Sequence, residues 1–349
     1  MPLIRTLVVD DSAFVRKTVR DMLSRSPHIE VVGLARDGRE ALDLVAELKP
    51  DVVTCDLTMP ILDGLGFVRQ QMQRAPVRIL VLTASPLETG AVMDALDAGA
   101  VDFVQKPSAL ANQQLLGIAD ELLEKVKIAA QAPLRQPRTP APLPTPESAS
   151  VVHAPSVNGK TKVDIVVLGI STGGPQALRH LLPQFVPPFP VPLVMVLHMP
   201  VGYTAMFAEK LAELSKIPVR EAFEGCELHK GGALLAPAGR HLTFQRAPNG
   251  TVHCHLSIQP PKPHRPSVDV LFQSAAQTFG ARVLGVVMTG MGDDGKEGAA
   301  WIKAQGGTIL TESKDSCVIY GMPRSVVEAG LSDASVSLDS LAREIRNNV

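Results

Sequence analysis

"VDIVVLGISTGGPQALRHLL", residues 163–182, decides the fold of the C-terminal half of the chain. A run of β-branched and other apolar residues leads to Ser171, two glycines follow, and a proline precedes an amphipathic helical pattern. Such an apolar run is typical of a strand buried on both faces of a parallel sheet, and proline is favoured in the first turn of a helix. The stretch therefore predicts a strand, a tight glycine loop and a helix, with Ser171 just beyond the carboxyl end of the strand.

The loop itself is open to two interpretations. Backbone N–H groups at a helix N-terminus bind anions such as phosphate, and the same groups form an oxyanion hole when a nucleophile stands beside them. A nucleotide site would need GxGxxG or GxxxxGK[ST], and "GISTGGP" at 169–175 has neither spacing. A serine nucleophile instead needs a base to take its proton.

Later strands of the same half supply that base. "VPLVMVLH" predicts a strand that ends at His198, and "VLGVVMTGMGDDG" predicts one followed by Asp293 and Asp294. Because parallel strands end at one edge of their sheet, serine, histidine and aspartate converge there as a triad requires. The spacing leaves both aspartates as candidates and Thr172 as a second hydroxyl. It also leaves open the alternative that His198 has only a structural role and that Asp293 and Asp294 only cap a helix.

Strands and helices alternate from the N-terminus as well. "IRTLVVD", "EVVGLA", "DVVTCDL", "RILVLTA" and "VDFVQ" are short apolar runs, and helical patterns between them begin at Ser12 and at Asp37-Gly38. Five such units predict an α/β fold with an open, doubly wound parallel sheet.

A proline-rich segment separates the two halves. Residues 129–160 contain seven prolines and almost no large apolar side chain, so they cannot bury enough surface to offset their ordering entropy. We therefore expect three regions: a domain over 1–127, a linker over 128–160 and a second domain over 161–349. The second domain should be a doubly wound, mostly parallel α/β sheet that carries an antiparallel hairpin, because Asn249-Gly250 lies between alternating runs.

Acidic and polar residues follow the strands of the first domain. Asp10 and Asp11 come after the first strand, Asp56 ends the third, Thr83 the fourth and Lys106 the fifth. Three crowded carboxylates repel one another unless a hard cation lies among them, and Mg²⁺ suits an oxygen-only site. A metal, a hydroxyl and an ammonium could together stabilise a phosphoryl group on a carboxylate. The alternative is helix capping by the first two aspartates and solvated surface for the others.

The same residues carry a resemblance. "VVDDSAFVRKTV", "CDLTMPILDG", "LTA" and "ALDAGAVDFVQKP" resemble the receiver domain of two-component response regulators over about residues 3–127. The resemblance implies that Asp56 accepts a phosphoryl group from a histidine kinase. It also implies that Asp11, Asp56 and the carbonyl of Thr58 hold Mg²⁺, with Asp10 helping through water.

Further residues follow from that resemblance. Thr83 and Lys106 are expected to contact the phosphoryl group, and Phe103 is expected to be the aromatic residue of the switch. Pro107 matches the position that follows a cis peptide bond in receivers, and a cis bond is uncommon even before proline.

The C-terminal half resembles a different family. "GISTGGP", "LHMP", "HRPSVDVLF", "TGMGDDG" and "YGMPRSV" resemble the catalytic domain of chemotaxis protein-glutamate methylesterases, the CheB family. The resemblance implies a triad of Ser171, His198 and Asp294, an oxyanion contact from the amide of Met291, and no cofactor in this domain. The implied substrates are methylglutamate residues of methyl-accepting chemoreceptors, which lose methanol, and receptor glutamines, which are deamidated. Asp293 stands where the family often has asparagine, which adds a negative charge.

Composition narrows the remaining classes. The 349 residues have a net charge of −1, and without a basic recognition helix this argues against a DNA-binding regulator or other nucleic-acid partner. No apolar run approaches the ~18 residues of a membrane span, and the N-terminus does not resemble a signal peptide. The four scattered cysteines fit a reduced cytoplasm. The competing interpretation from another class is a phosphorylation-dependent binding module whose hydrolase lobe is inactive.

Overall fold

The structure, a computed structural model, describes residues 3–106, 112–132, 134 and 163–349. The chain divides into two compact units, one from each half of the sequence. Among the described residues, no helix is both long enough and apolar enough to cross a bilayer. The predicted cis bond at Pro107 and residues 135–160 of the predicted linker lie outside these ranges.

The first unit alternates strands and helices. In chain order they are β1 (Ile4–Val9), α1 (Ala13–Leu23), β2 (Ile29–Ala35), α2 (Gly38–Leu48), β3 (Val52–Asp56), α3 (Gly64–Arg74), β4 (Arg78–Thr83), α4 (Thr89–Asp97), β5 (Asp102–Gln105) and α5 (Asn112–Ala129). The sheet order is β2-β1-β3-β4-β5 with every pair parallel. The predicted doubly wound sheet is confirmed.

Local sequence signals set the helix starts and the end of this unit. Ser12 caps α1 by accepting from Val15 N at 3.4 Å, and Asp37 caps α2 by accepting from two backbone N–H groups. Ala132 is buried and its carbonyl accepts from Arg78 Nε at 2.9 Å. Residues 128–132, at the start of the predicted linker, therefore pack on the first unit.

The second unit is built on a larger sheet. The strands of the second unit are β6 (Ile165–Ile170), β7 (Leu193–Leu197), β8 (Val219–Glu221), β9 (Ala233–Leu235), β10 (His241–Arg246), β11 (Val252–Ser257), β12 (Val283–Val287), β13 (Thr308–Glu312) and β14 (Ala334–Val336). Its helices are α6 (Gly174–Leu181), α7 (Thr204–Leu214), α8 (Val268–Phe279), α9 (Lys296–Ala304), α10 (Met322–Glu328) and α11 (Leu338–Asn348). The strand order β14-β13-β12-β6-β7-β9-β8 places β6 in the middle, with all pairs parallel.

The predicted hairpin is confirmed, and its position is now defined. Strands β10 and β11 pair antiparallel around Asn249-Gly250 and form a two-stranded sheet of their own. The hairpin packs on α8, where the rings of Phe244 and Phe279 meet edge to face at 5.9 Å. Trp301, which the helical pattern of "GKEGAAWIKAQ" at 295–305 would most simply assign to the core, is instead 43% exposed on α9.

Candidate phosphoryl-acceptor and active sites

The first unit brings its predicted acidic residues together at the carboxyl ends of β1 and β3. Carboxylate oxygens of Asp10, Asp11 and Asp56 lie within 4.8 Å of one another, with Asp11 exposed and the other two buried. Lys106 Nζ lies 2.7 Å from Asp56 Oδ2 and 3.0 Å from Asp10 Oδ2. One ammonium does not balance three carboxylates, so the donor set fits a hard divalent cation.

Burial and pairing set the ionisation of this pocket. Burial raises the pKa of Asp56 above its ordinary value, although the hydrogen bond and charge of Lys106 oppose the shift. Burial alone would lower the pKa of Lys106, but its bonds to Asp56 and Asp10 outweigh this and raise it. The ammonium is therefore held charged beside the predicted phosphoryl acceptor.

Thr58 and Thr83 lie beside this pocket, and Phe103 lies within β5. Thr58 N donates to Asp56 Oδ1 at 3.2 Å, and Thr83 Oγ1 donates at 2.6 Å to Glu88 Oε2. Phe103 is buried, and Lys125 Nζ lies 5.4 Å from the centre of its ring. Glu88 had no signal in the sequence, because its role depends on a loop that folds back on β4.

In the second unit Ser171 occupies the turn between β6 and α6. Its N–H donates to Thr289 O at 3.0 Å, and its carbonyl accepts from Gly174 N at 2.7 Å. Gly173 has φ +79°, a conformation that glycine adopts without strain. A Cβ built on Gly290 would lie only 2.8 Å from Ser171 Cβ, so the β12 loop passes directly against the serine.

His198 and Asp294, two residues of the expected triad, are joined by a hydrogen bond. His198 follows β7, which pairs with β6 through Ile170 and Leu197. His198 Nε2 lies 2.9 Å from Asp294 Oδ2. Among the described residues His198 Nδ1, which is buried, has no hydrogen-bond partner, and no hydrogen bond joins the imidazole to Ser171 Oγ. Nδ1 is therefore the ring nitrogen left to take a proton.

Asp294 is held by the N-terminus of α8. Its Oδ1 accepts from Ser267 Oγ at 2.8 Å and from Asp269 N at 3.0 Å, and its Oδ2 accepts from Val268 N at 2.8 Å. Burial alone would raise the pKa of Asp294, but the hydrogen bond and charge of His198 and the two backbone N–H groups lower it well below its ordinary value. The carboxylate is therefore ionised and fixed in orientation.

The geometry separates the candidates that the sequence left open. Asp293 is exposed and pairs with Lys296 at 2.9 Å, so the Lys296 ammonium offsets its negative charge. Thr172 is buried, and its carbonyl accepts from Thr289 Oγ1 at 2.9 Å. Met291 is exposed and follows Gly290, which places its amide on the loop beside Ser171.

The histidines of the hairpin do not form a metal site. Cys254 is buried, while the neighbouring side chain of His255 pairs with Glu224 at 2.9 Å on the other face of the strand. Within the described ranges, the acidic cluster of the first unit is the only group of three residues arranged to hold a metal ion.

Comparison with known proteins identifies the family. A model of the response regulator receiver domain matches residues 6–117, and a model of the CheB methylesterase domain matches residues 166–345. The chain belongs to the CheB methylesterase family. The resemblance inferred from the sequence motifs is thereby confirmed.

Individual relatives of the family cover nearly the whole chain. Protein-glutamate methylesterase/protein-glutamine glutaminase 5 of Myxococcus xanthus is 48% identical over 99% of this chain and 98% of its own length. The protein of the same description from Geobacillus kaustophilus is 41% identical over 99% of this chain and 98% of its own length. The crystal structure of the Thermotoga maritima CheB methylesterase catalytic domain is 37% identical, with a TM-score of 0.52, over 54% of this chain and all of that one.

Three residues beside the expected triad had escaped the sequence reasoning. His264, within the quoted "HRPSVDVLF", stacks on His198 with ring centroids 4.2 Å apart, although the residue as a whole stays exposed. Desolvation of the stacked ring together with the charge of His198 lowers the pKa of His264 to about 4. His241 is buried and accepts from Ser267 N at 3.1 Å.

The third residue is Asp269, which mirrors Asp294. Its Oδ1 accepts from Gly295 N and Gly298 N, each at 2.8 Å, at the start of α9. Burial, reinforced by the charge of Asp294, raises the pKa of Asp269 to about 6. The two aspartates thus cap each other's helices. Their spacing of about 25 residues hides this arrangement in the sequence.

Proposed function

We propose that the chain is a phosphorylation-activated serine hydrolase that removes methyl esters from methylglutamate residues of chemoreceptors and deamidates receptor glutamines to glutamate. The observation that carries the proposal is the ionised Asp294, fixed on the N-terminus of α8, that orients His198 at the strand edge where Ser171 also lies. The full-length relatives named protein-glutamate methylesterase/protein-glutamine glutaminase support this substrate class.

The reaction follows from the roles of the three side chains. Ser171 Oγ attacks the γ-carbonyl carbon of the glutamyl ester while His198 Nδ1 takes the serine proton. The amide of Met291 donates to the oxyanion. When the C–O bond breaks, His198 returns the proton to the leaving methoxide, and methanol departs from an acyl-serine.

Water completes the cycle. His198 takes a proton from water as the hydroxide attacks the acyl-serine, and the serine leaves with that proton, so the products are glutamate and the free enzyme. With a glutamine side chain the first leaving group is ammonia instead of methanol. Asp294 stays ionised and stabilises the imidazolium in each step.

The first unit supplies the control. Asp56 accepts a phosphoryl group from a chemotaxis-type histidine kinase, and Lys106 and Thr83 contact that group once it is bound. Asp10, Asp11, Asp56 and the carbonyl of Thr58 would hold Mg²⁺, and their oxygen donors suit that ion. When bound, Mg²⁺ offsets negative charge on the transferring phosphoryl group. A cytoplasmic location, where the kinase acts, is part of the proposal.

The test is methanol release from methylated receptor with and without an acyl phosphate as phosphoryl donor. Ser171→Ala should lower turnover by several orders of magnitude, because the attacking hydroxyl is lost. Ser335→Ala is the matched control: Ser335 is exposed on the edge strand β14 of the same sheet. The donor should stimulate the wild type and the control but not the Ser171 variant. Near-normal methanol release by Ser171→Ala would refute the mechanism. A phosphorylated wild type without turnover would favour the binding-module alternative.

A further inference from the structure

The carboxylate of Glu88 lies between the ends of β3 and β4 in the first unit. Its Oε2 accepts from Thr83 Oγ1 at 2.6 Å and from Ala84 N at 2.9 Å. Its Oε1 lies 3.4 Å from Thr58 Oγ1 on the other side of the cleft. The chain therefore places an anion of its own against a hydroxyl and a backbone N–H.

Those donors stand beside Asp56. In the pairing of β3 with β4, Asp56 lies opposite Leu82, so Thr83 and Ala84 continue β4 directly beyond it. Lys106 joins the two sides, because its N donates to Thr83 O at 2.7 Å and its Nζ lies 2.7 Å from Asp56 Oδ2. A phosphoryl group on Asp56 would need hydrogen-bond donors at this same edge.

We propose that Glu88 is an internal competitor of the phosphoryl group: it holds the hydroxyl of Thr83 and the N–H of Ala84 until an anion on Asp56 displaces it. This inference rests on the proposed phosphorylation of Asp56. A phosphoryl group and the Glu88 carboxylate are both negative and cannot share two donors, so occupation by one expels the other.

Displacement of the Glu88 side chain would break no hydrogen bond to helix α4. Glu88 is the residue immediately before α4, and its side chain makes no capping hydrogen bond to that helix. The cost of displacement is therefore chiefly the loss of the bonds to Thr83 and Ala84. Glu88 leads directly into α4, so its side chain joins the pocket at Asp56 to the start of that helix.

The experiment titrates the full-length protein with beryllofluoride in the presence of Mg²⁺, measured by isothermal calorimetry. Glu88→Gln keeps the size of the side chain and removes its charge, and Glu88→Ala removes both. Glu47→Gln, at an exposed position of α2, is the charge-matched control. We expect Glu88→Ala to bind about tenfold more tightly than the wild type, the equivalent of one hydrogen bond to a charged group. Glu88→Gln should fall between the two, and Glu47→Gln should equal the wild type.

The direction of the change separates competition from a merely structural role. A residue that only stabilised the loop would weaken beryllofluoride binding when it was removed, whereas a competitor strengthens it. The inference is overturned if the wild type binds and neither Glu88 variant binds more tightly. If the wild type and all variants fail to bind, the phosphorylation of Asp56 is refuted together with it.

Discussion

Gly290→Ala is expected to slow ester hydrolysis, because the new methyl group has no room beside Ser171. An ideal Cβ at residue 290 lies 2.8 Å from Ser171 Cβ and 3.2 Å from Ser171 N, and it overlaps the sulfur of Met322. Met322 is fully buried and cannot turn into solvent. Ser171 is itself held by backbone hydrogen bonds to Thr289 and Gly174. The strain must therefore move the serine or the loop that carries Met291.

The overlap at residue 290 sets the size of the loss of stability and the size of the loss of catalytic rate. Overpacking of this kind costs about 1–3 kcal/mol of unfolding free energy, and each kcal/mol lowers the Tm of a unit of this size by about 2–4 °C. A nucleophile displaced by about 1 Å loses up to about 10²-fold in rate. We expect kcat to fall by about 10- to 100-fold while KM changes little, because the perturbed atoms belong to the proposed nucleophile Ser171.

The assay is methanol release at saturating methylated receptor, well below the Tm of each variant. Gly232→Ala is the control in the same unit, since its Cβ would make only ordinary contacts, 3.7 Å from His229 O and 3.9 Å from Pro218 O. Its rate should match the wild type. A Gly290→Ala protein with wild-type kcat and Tm would refute the close approach of the β12 loop to the nucleophile.

Two further outcomes follow from the carboxylates around α8. Asp294→Asn should lower kcat by about 10⁴-fold, as does removal of the charge that fixes the histidine of a triad. Asp293→Asn should keep a kcat close to that of the wild type, because Asp293 is exposed and paired with Lys296. Equal losses of kcat in the two variants, measured by steady-state kinetics, would contradict this. The pKa of Asp269 is about 6 in the folded state, against an ordinary value of 3.8. Between these two pH values the folded state therefore binds more protons than the unfolded state, so the stability contributed by Asp269 falls as pH rises. Calorimetry should therefore show the Tm of Asp269→Asn rising relative to wild type from about pH 4 to 6, and a constant difference would contradict the raised pKa.

The parts of the fold that sequence predicts well are those with a strong local signal. The apolar run before Ser171 and the Asn249-Gly250 turn each define an element without help from distant residues. The three-residue strands β8, β9 and β14 were missed, because three residues are too few to show a period of two. Trp301 was misplaced because a helical pattern does not say which of its apolar residues face outward.

The residues of the candidate sites also divide into those with a local sequence signal and those without one. Ser171 and His198 are recognisable because each follows a strand and the strands end at one edge. Asp269, His241 and Glu88 have no such signal, since each acts through loops or helix ends that only the tertiary structure brings together. Spacing alone left Asp293 and Asp294 open, the family resemblance favoured Asp294, and the contacts of Asp294 with the N-terminus of α8 support that choice.

The mutual capping of Asp294 and Asp269 bears on how this enzyme can be re-engineered. Asp294 accepts hydrogen bonds from backbone N–H groups at the start of α8, and Asp269 accepts them from backbone N–H groups at the start of α9. Residues 267–269 and 294–298 therefore form one clamp, and neither of these two segments can be lengthened by itself. Insertions or new chain ends placed in either segment should disorganise the clamp. The exposed turn at Asn249-Gly250 shares none of these bonds. A reporter domain spliced into that turn would leave the clamp intact.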